Sequence, residues 1–315
     1  MVISRIVIAL GGNALQIKGE ASAADQQRVA AETARRLVPL IAQGHQIVIV
    51  HGNGPQVGDI LLHEEAIDTA EVPTLPLDSC VAMTQGSIGY WLQQAIDNEL
   101  RLQNVMRSVA TVVTQTLVDI NDPAFADPSK PIGPFYATEL EARAAAKSRG
   151  FAVKEDAGRG WRRVVSSPIP KSIVESSVVE ALIKDSFVVI AAGGGGVPVI
   201  ETEQGLRGIE AVIDKDMSAA VLADIINAEQ LLILTSVDAV TIHFRTPEEE
   251  PLHNISCEDM QKYCDAGEFA AGSMLPKVLA SLDFVEKQRG GRKAIIASLE
   301  TVQAALDGKS GTVIS

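Results

Sequence analysis

The chain is poor in cysteine, has no excess of positive charge, and lacks two familiar glycine fingerprints for nucleotides. Its three cysteines, Cys80, Cys257 and Cys264, are odd in number and widely spaced. That pattern gives no disulfide framework and no metal-ligand spacing, and it fits a reducing, cytoplasmic setting. Cys80, just before a helical pattern, reads as a small core or helix-start residue rather than a reactive thiol. Formal net charge is −13 over 315 residues, so a basic face for nucleic acid is not expected. No apolar run approaches the roughly 20 residues of a membrane helix. The N-terminal run is interrupted by Arg5 and followed by glycines, so it reads as a buried strand rather than a signal segment, and no membrane association is expected. Neither G-x-G-x-x-G nor G-x-x-x-x-G-K-[ST] occurs, which counts against a dinucleotide Rossmann site and against a P-loop. No short-period repeat is present.

What the chain does have is a substantial core and a regular alternation. Hydrophobic residues make up 46%, enough for one large α/β domain or two lobes. Apolar β-branched runs at 5–10, 46–50, 111–116, 187–191, 231–234 and 294–297 read as strands. Continuous runs of this kind typify a parallel sheet covered on both faces. Helical patterns lie between them: after Ser22-x-x-Asp25, after Pro55, from Ser79 to Leu100, Ser172 to Lys184, Lys215 to Asn227, after Ser256-x-x-Asp259, and Met274 to Gln288. The stretch from about Ile120 to Pro170 breaks the alternation with prolines, glycines and charges. It predicts an inserted excursion or small subdomain, since a structureless loop of that length is unusual.

Glycine-rich turns punctuate this pattern where ligands bind open α/β sheets, at the carboxyl ends of strands. They are Gly11-Gly12-Asn13, His51-Gly52-Asn53-Gly54-Pro55 and Gly193–Gly196. Such turns bring backbone N–H groups close to a ligand, and a following helix N-terminus adds partial positive charge. Asn13 and Asn53 are placed to donate hydrogen bonds to a small planar anion. His51 reads as a structural histidine before an acid–base group. In an acidic protein that binds anions, the position of each lysine carries the information. Lys215 lies between Asp214, a helix-cap candidate, and Asp216. Lys277 follows Gly272-Ser273-Met274-Leu-Pro at a helix start, where the helix dipole disfavours a cation unless an anion is near. Lys130 lies in the excursion. Arg159, Arg162 and Arg163 flank Trp161, as an anion patch or, more simply, a solvated face.

Together these segments resemble the carbamate kinases of the amino-acid kinase superfamily. The resemblance covers nearly the whole chain. It rests on Ala9-Leu-Gly-Gly-Asn-Ala14, His51-Gly-Asn-Gly-Pro-Gln-Val-Gly58, Gln85-Gly-x-Ile-Gly-Tyr90, Lys130-Pro-Ile-Gly-Pro-Phe-Tyr136, Glu155–Val165, Gly193–Pro198, Glu210–Asp216 and Gly272–Lys277. It implies a three-layer α/β/α sandwich around a mainly parallel central sheet, with a small protruding subdomain at about 120–170. The N-terminal half would hold carbamate or carbamoyl phosphate, and about 185–315 would hold the nucleotide. The implied reaction is reversible phosphoryl transfer between ATP and carbamate, giving ADP and carbamoyl phosphate. Mg²⁺ would accompany the nucleotide, the enzyme would be a homodimer, and turnover would run towards ATP in breakdown of arginine or related nitrogen compounds. By the same resemblance Lys130, Lys215 and Lys277 serve the phosphoryl groups and Asp216 orients them. Gly11, Gly12, Asn13, Gly52, Asn53 and Gly54 hold the small substrate, and Gly194, Gly195, Thr235, Ser273 and Met274 the nucleotide. One departure is evident. Relatives often carry a tyrosine near the adenine after the strand ending at Thr235, where this chain reads Val240-Thr241-Ile-His-Phe244, with Phe244 as the available aromatic. The alternatives are another small-acid kinase of the superfamily, or a nucleotide sensor that keeps the fold without turnover.

Overall fold

Six parallel strands form the centre of the main sheet in the computed structural model, which describes residues 3–11, 14–15, 22–156, 160–287 and 291–315. In spatial order they are Lys293–Ser298, Gln230–Thr235, Arg5–Leu10, Gln46–His51, Val188–Ile190 and Val109–Thr111. Thr312–Ile314 joins antiparallel at one edge, and Asn254–Ile255 pairs beyond it.

The alternation of side chains along each strand builds two cores. Val7, Ala9, Val48, Val50, Leu231, Ile233 and Ile296 face one layer, with Val179 and Ile183 of helix Ser176–Lys184, Ala219 and Leu222 of Lys215–Ile225, and Val278 and Phe284 of Met274–Glu286. Ile6, Ile8, Leu10, Ile47, Ile49, Leu232 and Ile295 face the other layer, with Leu37 and Ile41 of Ala23–Ala42 and Ile88, Leu92 and Ile96 of Leu77–Leu102. Both faces are covered, which is why the strands read as unbroken apolar runs. The fold is the expected α/β class, with helices on both sides of a mostly parallel sheet. No helix among the described residues is long and apolar enough to cross a membrane.

Two sequence expectations are corrected. The run 111–116 is not one strand: Val109–Thr111 ends in the main sheet, and Gln115–Val118 belongs to a second sheet with Pro170–Ile173, Val197–Thr202 and Gly205–Gly208. Buried Thr114 sits at the crossing, held by the Gln85 side chain, which accepts from its N–H at 2.9 Å and donates to its carbonyl at 3.0 Å. Residues 172–184 are not all helical either. Ser172 pairs with Leu117 in that second sheet, and the helix starts at Ser176.

The excursion contains ordered elements. Strands Lys130–Tyr136, Trp161–Val165 and Ala152–Glu155 form an antiparallel sheet backed by helix Glu139–Arg149, whose Thr138 and Glu141 make a reciprocal capping box.

Candidate active site

The lysines singled out from sequence meet on two aspartates. Asp214 caps helix Lys215–Ile225, its Oδ1 accepting from the N–H of Asp216 at 2.9 Å and of Met217 at 3.4 Å. Its other oxygen accepts from Lys130 Nζ at 2.6 Å, reaching across from the excursion. Sequence reading saw only the cap, because the second partner lies 84 residues away. Asp216, in the first turn of that helix, takes Lys215 Nζ on Oδ1 and Lys277 Nζ on Oδ2, the latter at 2.8 Å. Asp216 is thus the anion that settles Lys277 at its otherwise unfavourable helix start.

The electrostatics are those of a dry, positively biased cluster. Asp216 is 2% exposed. Burial by itself would push its carboxyl up, but Lys215 and Lys277 outweigh that, and it stays ionised, well below the usual carboxylate range. Burial pushes the Lys215 amine down, Asp216 draws it back up, and Lys277 opposes that recovery. Three lysines on two aspartates leave one positive charge in excess, within a chain whose net charge is −13. An anion entering the cluster would balance it.

The N-termini of three helices gather around these charges. The Lys215 stem runs over Gly52, close enough that a Cβ there would lie 3.5 Å from Lys215 Cδ. Helix Gly54–Ala66 starts two residues further on, with Asn53 at its cap and Pro55 in its first turn. Lys277 is in the first turn of Met274–Glu286, and Ser273 caps that helix without a side-chain bond. Gly11 donates its N–H to Leu234 O at 2.9 Å, beside Thr235 at the carboxyl end of the neighbouring strand. Gly52 donates to Leu10 O at 3.2 Å. Gly11, Gly52, Asn53, Gly54, Thr235, Lys215, Asp216 and Lys277 therefore share one end of the sheet. Gly12, Asn13 and Arg159 lie outside the described residues.

The Gly193–Gly196 run, read from sequence as a place of close backbone approach, is closely packed by protein. A Cβ on Gly194 would fall 2.1 Å from Asn53 Nδ2, and one on Gly195 would fall 2.4 Å from the Ile213 carbonyl oxygen. Gly195 O accepts from Thr116 Oγ1 and Ser218 Oγ, both at 2.7 Å. Glycine is needed here so that the two sheets and helix Lys215–Ile225 can close on one another. Asn53 is similarly occupied, donating to Thr84 Oγ1 at 2.9 Å. Of the polar residues that fix this junction, Gln85 stood in a family motif without a role, and Thr84, Thr114, Thr116 and Ser218 escaped sequence reading because isolated Thr and Ser carry no local signal.

His51 is structural, as its sequence context suggested. It is 1% exposed, and its Nδ1 donates to Gly52 O at 2.8 Å. Burial pushes its imidazole down to about 4, partly offset by that bond. Unfolded, the ring takes a proton near pH 6.5. Between pH 6.5 and 4 the unfolded chain therefore binds more protons, so the stability tied to His51 is full above 6.5 and lost as pH falls towards 4. The contribution is on the order of 3 kcal/mol at about 1.4 kcal/mol per pH unit. Urea unfolding at pH 6.5 and 4.5 measures this loss, and His51→Gln is expected to flatten it.

Arg162 and Arg163 form neither an anion patch nor a solvated face. Arg162 donates twice to Gly133 O, at 3.0 and 2.7 Å, and Arg163 pairs with Glu65. Cys80 is buried, and burial beside Glu64, Glu210 and Asp78 raises its thiol to about 11, so it is unreactive.

Comparison with known proteins places this arrangement. Residues 4–298 match the model of the amino acid kinase family. The chain belongs to the amino acid kinase family. Within this family it is 50% identical to the carbamate kinase of Pyrococcus horikoshii, over 99% of both chains, and 49% identical to carbamate kinase 1 of Enterococcus faecium, again over 99% of both. Among solved structures, the carbamate kinase of Giardia lamblia bound to AMP-PNP matches with a TM-score of 0.90 at 42% identity, covering 99% of this chain and 98% of that one. As a member of the amino acid kinase family the protein is a kinase, and the lysine–aspartate cluster is its candidate phosphoryl site. The Phe244 ring is 54% exposed, with the Arg245 guanidinium 5.2 Å from its centroid. His243 before it has a left-handed backbone, φ 53°, and its N–H donates to Glu268 at 2.8 Å.

Proposed function

We propose that the enzyme transfers a phosphoryl group reversibly between ATP and carbamate, the latter formed from ammonia and bicarbonate, giving ADP and carbamoyl phosphate. The observation that carries this reading is the cluster of three lysines on two aspartates, built around buried Asp216, in a chain about half identical to carbamate kinases along its whole length. In the ATP-forming direction the bond from carbamoyl oxygen to phosphorus breaks, and an oxygen of the ADP terminal phosphate bonds to that phosphorus. No protein atom forms a covalent bond, so the protein contributes position and charge.

Lys215 and Lys277 face the transferring group and the nucleotide phosphates, and Lys130 approaches from the excursion. The backbone at Gly11, Gly52 and Gly54, with Asn53, borders the carbamoyl end. Gly194, Gly195, Thr235, Ser273 and Met274 border the nucleotide end on this reading, with Phe244 as the aromatic available for the base. Mg²⁺ enters on this reading with the nucleotide phosphates. Among the described residues no three His, Cys, Asp or Glu side chains gather to hold an ion alone, and Mg²⁺ commonly needs only one or two carboxylates besides phosphates. A cytoplasmic homodimer that makes ATP during breakdown of arginine or related nitrogen compounds is the setting this reading favours.

The test is ATP formation from ADP, Mg²⁺ and carbamoyl phosphate by the purified protein. ATP synthesis that disappears in Lys215→Ala is the expected result. Nucleotide binding without synthesis would point to a different acid substrate or to a sensor.

A further inference from the structure

The small sheet that carries Lys130 rests on helix Gly54–Ala66. Besides the buried apolar contact of Val57 and Leu61 with Ile132, two features hold it there. At one, backbones touch: a Cβ on Gly58 would lie 2.1 Å from Gly133 Cα, and Gly133 itself has φ +69°. At the other, Arg163 Nη1 donates to Glu65 Oε1 at 2.5 Å, with the two side chains 19% and 17% exposed. The Arg163 guanidinium also stacks 4.8 Å from the Phe151 centroid. Beside them lies a small open crevice lined by Leu61, Ile132, Tyr136 and Phe151, and Arg163 and Glu65 line it too. The ion pair thus sits at the edge of the apolar contact between sheet and helix.

The pair lies one step from the chemistry. Arg163 pairs with Ile132 in the ladder, and Lys130, two residues along, pairs with Val165. That is roughly 7 Å of strand. On the opposite face of the same strand, Arg162 grips the Gly133 carbonyl where the ladder slips between Ile132 and Tyr136. The slip lies beyond Ile132, and the ladder from Arg163 and Ile132 to Val165 and Lys130 is unbroken, so movement of Arg163 is passed along it to Lys130.

We infer that Arg163 and Glu65 are positioning residues for phosphoryl transfer, their ion pair fixing where Lys130 stands over Asp214. The kinetic side of this inference rests on the carbamate kinase reading above. Arg163 Nε is buried without an acceptor, so the hold runs through the contact with Glu65, which a lysine can partly replace.

The experiment compares Arg163→Gln with Arg163→Lys. Arg163→Gln is expected to lower kcat for ATP synthesis by about 10- to 100-fold, the scale of an ångström of misplacement. ADP affinity is expected to stay within about twofold, and Arg163→Lys to recover part of the rate. In a Lys130→Met background, Arg163→Gln is expected to change the residual rate by less than about twofold, because residues acting through one another are not additive. The same fold-loss in both backgrounds would overturn the inference. A second readout is independent of activity. Hydrogen exchange in Arg163→Gln is expected to speed up across residues 130–136 and stay unchanged in the central strands. Unchanged exchange at 130–136 would also overturn it. If the wild-type makes no ATP from carbamoyl phosphate, the functional reading falls, and the exchange result decides the positioning inference by itself.

Discussion

Asp216→Asn is expected to lower kcat about a thousandfold or more, equivalent to about 4 kcal/mol of transition-state stabilisation at 1.36 kcal/mol per tenfold. Asp216 is the one carboxylate shared by Lys215 and Lys277. Its amide replacement would leave two ammonium groups adjacent without the carboxylate that bonds to both, and with only the weaker pull of Asp214 on Lys215. Lys215, whose amine is already pushed down by burial and by Lys277, would lose the carboxylate that draws it back up. It would then give up its proton at lower pH than in the wild-type. Turnover by the variant should therefore fall as pH rises through a range where the wild-type is flat, and lowering the pH should recover part of it. Removing one partner from a buried ion pair also lowers stability, by about 3–5 kcal/mol, so the melting temperature should drop while the far-UV spectrum is kept. A pH–rate profile of both proteins checks this. A kcat within tenfold of wild-type, with no shift in the profile, would remove Asp216 from the phosphoryl site.

Gly195→Ala is expected to destabilise the fold by about 2–5 kcal/mol, combining left-handed backbone strain with overpacking. Gly195 has φ +93°, and its new methyl would meet the Ile213 carbonyl at 2.4 Å and Ile213 Cβ at 2.9 Å. The first obstacle is backbone, so it cannot swing aside. Ile213 immediately precedes Asp214-Lys215-Asp216, and any shift there moves the anchors of all three lysines. A fall in kcat of about 10- to 100-fold should accompany the loss of stability. A glycine needed for nucleotide contact alone would behave differently, with a raised KM for ADP at unchanged melting temperature. Thermal unfolding together with KM and kcat separates the two. At Gly194 the obstacle is the Asn53 side chain, which is held by its bond to Thr84.

Much of the architecture was legible because it follows from local rules. The strands Arg5–Leu10, Gln46–His51 and Gln230–Thr235 are β-branched runs covered on both faces, and such runs leave little choice but a central parallel strand. Ser22, Asp214 and Ser256 announce their helices because a cap bonds to N–H groups two or three residues on. The break at 111–116 was not legible. Thr114 leaves the main sheet only because Gln85, 29 residues earlier, offers its backbone both a donor and an acceptor.

The same division runs through the site. Sequence by itself singled out Lys215 and Lys277 and the turns Gly11, Gly52 and Gly54 as candidates, since cations and glycines at strand and helix ends stand out in an acidic chain, and the family resemblance added Lys130 and Asp216. It also identified the family, through long motifs in a fixed order. Only the tertiary structure decided that Lys130 rests on Asp214, that Lys277 meets Asp216 across 61 residues, and that Arg163 meets Glu65 across 98. It likewise showed which protein atoms pack against Gly193–Gly196. The physical reason is range. Caps, turns and strand periodicity are set by neighbours within a few residues, whereas an ion pair or a glycine contact is chosen by whatever the folded chain brings to the other side of it.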